Sequence, residues 1–127
     1  MRTAPPRVTY GPDYGPRTEW ENLVLLECLR ASQGRLDAHV RGVAVEAGYE
    51  LVVVHACVDR EDAATVEDLA ELATDTEASL EQYVEPPPTV QLRLHEGDTD
   101  RSWPGYEHRR VYLAHCRARG NTSSERR

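Results

Sequence analysis

The sequence predicts an α+β fold, in the order α-β-β-α-β-β, with one four-stranded antiparallel sheet and both helices on one face. Three observations predict it. Residues 61–85 repeat apolar residues at three- and four-residue steps, the spacing of a helix face, and residues 18–21 have the form of a helix-opening capping box. Segments 39–46 and 49–58 are rich in β-branched residues, and 89–95 alternates apolar with polar residues. The strand segments also fall into two neighbouring pairs, without the regular strand–helix–strand alternation of a parallel sheet. The chain has 127 residues, the length of one domain.

Residues 1–17 hold Pro5, Pro6, Pro12 and Pro16 and read as an extended N-terminal arm. The main domain is expected over 18–117. Thr18-Glu19-Trp20-Glu21 has the form of a capping box, so the first helix is expected from Thr18 to about Ser32, with Gly34 suited to its C-terminal cap. Its apolar residues (Trp20, Leu23, Val24, Leu25, Leu26, Cys28, Leu29) spread round most of the helical wheel. Such a helix wants cover on more than one side, from the arm or from a second copy, which makes a homodimer through helix 1 one expectation.

A hairpin follows, His39–Glu46 and Tyr49–Val58, turning at Ala47-Gly48. The centre of its second strand (Leu51, Val52, Val53, Val54) is apolar at every position, as in an interior strand. The second helix is expected over 61–85. Asp59 or Asp62 would cap it, and Val66, Leu69, Ala70, Ala73, Leu80 and Tyr83 make one apolar face. Pro86-Pro87-Pro88 ends it. Thr89–His95 alternates, with Val90, Leu92 and Leu94 on one side and Gln91, Arg93 and His95 on the other, and reads as a half-buried antiparallel strand. After a polar loop, the last strand is expected over Arg110–Arg117, and 118–127 as a disordered polar tail.

The charge is uneven. The chain carries −7 in total, yet residues 59–85 hold ten carboxylates against Arg60 alone, a local −9, so the remainder sums to +2. Such a balance repels free nucleic acid and anionic membrane, and suits a basic protein partner. Glu67, Asp68, Glu71, Asp75 and Glu77 are the candidate partner-binding acids. The alternative is that they are a solvated helix face. Like charges four residues apart, as at Glu67–Glu71 and Glu77–Glu81, cost a free helix a few tenths of a kcal/mol each. Trp103 and Tyr106, among charges on the 98–107 loop, are candidate interface anchors. Equally, Trp103 suits a plug at one end of the core.

Three separated cysteines (Cys28, Cys57, Cys116) form no disulfide framework and read as reduced thiols. No apolar stretch of secretory length follows the N-terminus, and a cytoplasmic protein is expected. Five histidines (His39, His55, His95, His108, His115) include no pair at helical ligand spacing, so a metal could be held only across elements, and neither metal nor cofactor is expected. No nucleophile elbow, phosphate loop or zinc-protease motif occurs. The expectation is therefore of no enzyme. The rival is a small catalyst in which His55, His95 and a nearby carboxylate line a pocket; a third reading is a self-associating subunit of a larger assembly.

The run Val40–Val58, the acidic Asp59-Arg60-Glu61-Asp62, the glutamate-rich segment after it, Val90–Leu94 and the closing Arg110-Val111-Tyr112-Leu113 together resemble the small immunity proteins of bacterial polymorphic and contact-dependent toxin systems. The resemblance spans roughly residues 19–115. It departs from the family in its long proline-rich arm, and in Leu113-Ala114-His115, where a basic residue tends to follow the tyrosine closely. It implies a protein that binds and neutralises a cognate toxin domain in the cytosol, commonly a nuclease, deaminase or other nucleic-acid-modifying enzyme, without a cofactor.

Overall fold

The structure, a computed structural model, describes residues 15–114. Residues 1–14 of the expected 1–17 arm and the tail over 118–127 lie outside the described residues, as do 115–117 of the expected last strand; residues 15–17, expected in the arm, belong to the first helix.

Helix α1 runs Gly15–Ala31 and so begins three residues before the expected cap. Thr18 lies inside it, and the capping-box reading is corrected. Pro16 does not obstruct this start, because the amides of a first turn lack intrahelical acceptors and a proline there gives up nothing. Trp20, Val24 and Cys28, four residues apart, are fully buried. Leu26 and Leu29 face outward, each 42% exposed. The Trp20 indole N–H donates to the Gly48 carbonyl at 2.9 Å, tying the helix to the first strand turn.

Strands β1 (Val40–Ala47) and β2 (Leu51–Val58) form the expected antiparallel hairpin, with Val43 opposite Ala56 and Val45 opposite Val54. Helix α2 is Ala63–Leu80, shorter at both ends than expected. Asp62 caps it by accepting from the Thr65 amide, and Thr65 Oγ1 donates to Asp37 at 2.6 Å. No acidic residue stands in its first turn.

The main correction concerns the next strand. β3 (Thr89–Glu96) pairs parallel with β2, Val54 opposite Leu92, and the sheet order is β3-β2-β1-β4. The sheet is mixed, and β3 and β4 (Arg109–Leu113) form no second hairpin; they occupy opposite edges, β4 pairing antiparallel with β1. Helix length explains this. Eighteen residues of helix span roughly 27 Å, about the length of an eight-residue strand at ~3.3 Å per residue. α2 therefore returns the chain to the end of the sheet where β2 began, and β3 has to run the same way. The alternation in β3 reports that one of its faces is buried; it carries no information on direction.

One core joins Trp20 and Val24 of α1 and Leu69, Leu72 and Leu80 of α2 to the alternate residues Val43, Val45, Val52, Val54, Ala56 and Val58. Both helices thus cover the same sheet face, as expected. The other face of β2 (Val53, His55, Cys57) is also buried. Its cover is the 97–108 connection, which crosses from the β3 edge to the β4 edge and carries a 3₁₀ turn, Pro104–Glu107. Trp103 meets neither expectation: it is 1% exposed, so it is no exposed anchor, and it packs with Ala44 and Cys57 in a separate cluster on this second face, so it does not plug one end of the main core.

Candidate functional site

Two polar surfaces stand on opposite sides of this sheet. The first is the outward face of α2. Its buried stripe (Thr65, Leu69, Leu72, Ala73, Thr76, Leu80) turns the acids away from the core. They are not equivalent. Arg35, on the α1–β1 connection, reaches Asp75 at 2.6 Å and Glu71 at 3.8 Å. Glu77 accepts from the Val90 amide at 2.9 Å and so fastens the start of β3 to α2. Glu67 and Asp68, with Glu81 just after the helix, pair with no basic side chain among the described residues, and α2 itself contains no arginine. Three of the five acids singled out by sequence are therefore engaged within the fold, and Glu67 and Asp68 have no basic partner among the described residues. Tyr106 is half-buried on the far side of the sheet. The Arg110 guanidinium lies over its ring, 5.1 Å from the centroid, and donates to its carbonyl.

The second surface lies under the 97–108 connection. Residues 44 and 46 of β1 and 53 and 55 of β2 project to one face, so Glu46 and His55 are diagonal neighbours across the hairpin. His55 Nε2 lies 3.0 Å from Glu46 Oε1. His108, which ends the 3₁₀ turn, brings its Nε2 to 3.5 Å from the same oxygen. The two imidazoles stack in parallel, with an interplanar angle of 3° and centroids 5.2 Å apart. Gly105 makes the approach possible. A Cβ at that position would lie 2.7 Å from the His55 Cβ and from two Trp103 ring atoms, so no side chain fits between the turn and the sheet.

The electrostatics grade from inside to outside. The His55 side chain is 3% exposed, that of His108 34% and that of Glu46 50%. The hydrogen bond from His55, aided by the positive field of nearby His108 and Arg93, holds the Glu46 carboxyl below its ordinary range. His55 Nδ1 is buried and finds no hydrogen-bond partner among the described residues. Glu46 and His108 also line an open groove of about 490 Å³, walled by Arg17 and Glu21 of α1, by Gly48 in the hairpin turn and by Arg109 at the start of β4.

His95, proposed by sequence as the partner of His55, is not in this group. It stands opposite Cys57 in the β2–β3 register, and its Nε2 lies 3.5 Å from Ser102 Oγ. The sequence reading missed Glu46 and His108 because the three residues come from separate elements. The signal that points to them is a histidine inside an otherwise apolar strand, which needs a polar partner on the neighbouring one.

Burial pushes the Cys28 thiol up to about 12 and that of Cys57 to about 11, so neither is a nucleophile at neutral pH. Among the described residues, no helix is long and apolar enough to cross a membrane. No protein-family model matches the chain, and no curated protein matches it.

Proposed function

We propose that this chain is a protein-binding module, an immunity protein that neutralises a basic toxin domain through the outer face of α2. The observation that carries the reading is the set Glu67 and Asp68 on α2 and Glu81 just after it, carboxylates without a basic partner among the described residues, on a helix that contains no arginine. Uncompensated like charges on one face weaken a free helix slightly. They also accelerate encounter with a basic surface and discriminate against acidic ones. A toxin that works on nucleic acid binds phosphates with a basic cleft, and a row of carboxylates is complementary to that cleft. The resemblance to polymorphic-toxin immunity proteins favours the same partner.

The structure sharpens which acids to test. Glu71, Asp75 and Glu77 have structural partners, so reversing them disturbs the fold and the surface together. Glu67, Asp68 and Glu81 separate the two. The test is co-expression with the product of the adjacent gene, followed by capture at moderate salt and by a protection assay against the toxin. A retained complex that weakens in Glu67→Arg with Asp68→Arg supports the reading. The reading fails if the neighbouring product is not toxic, or if no complex forms.

A further inference from the structure

We propose that Glu46, His55 and His108 form a binding site for a divalent transition metal of the zinc class, with an open coordination side facing the groove beside α1.

The argument starts from donor chemistry. Two imidazoles and one carboxylate are the ligand set of many three-residue zinc centres, in which a fourth position stays with solvent or ligand. Here the three ligand atoms come from β1, β2 and the end of the 3₁₀ turn, and all lie within 4.8 Å of one another. Around a tetrahedral ion with bonds of about 2.0–2.1 Å, ligand atoms are separated by roughly 3.3 Å. The separations of 3.0 and 3.5 Å from Glu46 Oε1 to the two histidines already bracket that value. Both histidines bring an Nε2 to the same carboxylate oxygen.

The surroundings suit an ion held at the base of an accessible site. His55 is fixed by the sheet on one side and by Gly105 and Trp103 on the other. Glu46 and His108 are partly exposed and line the groove, which gives the ion a route in and leaves its outer side open. One feature sets the affinity. Coordination through Nε2 puts the His55 proton on Nδ1, which is buried without an acceptor among the described residues. Zinc histidines usually donate that proton to a neighbour, so this site is weaker than a closed structural one. The other described histidines make no comparable group: His39 pairs with Asp59 at 2.9 Å, and His95 meets Ser102.

The experiment uses the full chain with Zn²⁺ alone, by titration calorimetry, and with Co²⁺ alone, by its visible absorption. The expected result is one equivalent of Zn²⁺ and the intense absorption of a four-coordinate Co²⁺ ion. His108→Ala and Glu46→Gln, both at partly exposed positions, should each weaken binding by at least about tenfold, while His39→Ala, His95→Ala and His115→Ala leave it unchanged. Absence of stoichiometric binding overturns the proposal. So does binding that survives His108→Ala unaltered, or that is lost in His115→Ala instead, which would put the ion elsewhere. Circular dichroism of each variant establishes that the fold is retained.

Discussion

On the α2 side of the sheet the polar groups stand outside a continuous apolar core. On the 97–108 side they are drawn under cover: His55 and Trp103 are buried within a few residues of exposed Glu46 and Arg110. The first side follows from helix periodicity alone. The second exists only because a connection crosses the whole sheet and lays a 3₁₀ turn on β2. A periodic surface presents a row of like charges suited to a protein partner, and an irregular cover assembles unlike groups at one point, suited to a small ion.

The two sides differ most in what they owe to Trp103. Trp103→Ala removes the buried indole from the covered side and should cost about 3–5 kcal/mol by denaturant unfolding. Loss of less than 1 kcal/mol would mean that the cover is not part of the folding unit. Gly105→Ala follows: the added Cβ meets His55 and Trp103 at 2.7 Å, and overpacking of this kind costs about 1–3 kcal/mol.

Next is pH. Glu46 is held below its ordinary range chiefly by His55, and Asp37 chiefly by Thr65. A depressed carboxyl stabilises the fold above its unfolded value, and that contribution disappears as pH falls through the folded one. Acid unfolding of Glu46→Gln, and separately of Asp37→Asn, should therefore be less steep than that of the unchanged protein below the ordinary carboxylate range. Identical acid limbs would remove these groups from the account. The smallest effect is expected on the acidic face. Glu67→Gln or Glu81→Gln should change stability by no more than about 0.5 kcal/mol, and if anything upward, since each relieves a like-charge neighbour at four residues.

The legible part of the fold was what depends on local pattern. The β1–β2 hairpin and the Leu69, Ala73 and Leu80 part of the α2 stripe follow from spacing within a few residues, and Asp62 is one of the two expected caps; Ala70, expected on the apolar face, is exposed, and Thr65, Leu72 and Thr76 complete the buried stripe instead. Strand direction did not. Val90, Leu92 and Leu94 alternate with polar residues in a parallel edge strand as they would in an antiparallel one, because alternation records burial and nothing else. The apolar centre of β2 did announce cover on both faces, but not that residues 97–108 supply it. On α2 the charge row was visible, whereas the engagement of Glu77 by the Val90 amide and of Asp75 by Arg35 was not, being set by tertiary neighbours. The grouping of Glu46, His55 and His108 lay furthest from view, since His108 reaches it only through the path of an irregular loop.

Docking through α2 requires its acidic face to be free for a partner. The most direct measurement is the association rate of this protein with the toxic product of its neighbouring gene, for the unchanged chain and for the triple variant Glu67→Arg, Asp68→Arg, Glu81→Arg, at low and physiological salt. A fall of at least about tenfold at low salt is expected, narrowing as salt screens the field, with a melting temperature no lower than that of the unchanged chain. An unchanged rate in a folded triple variant would contradict it and make α2 a solvated face.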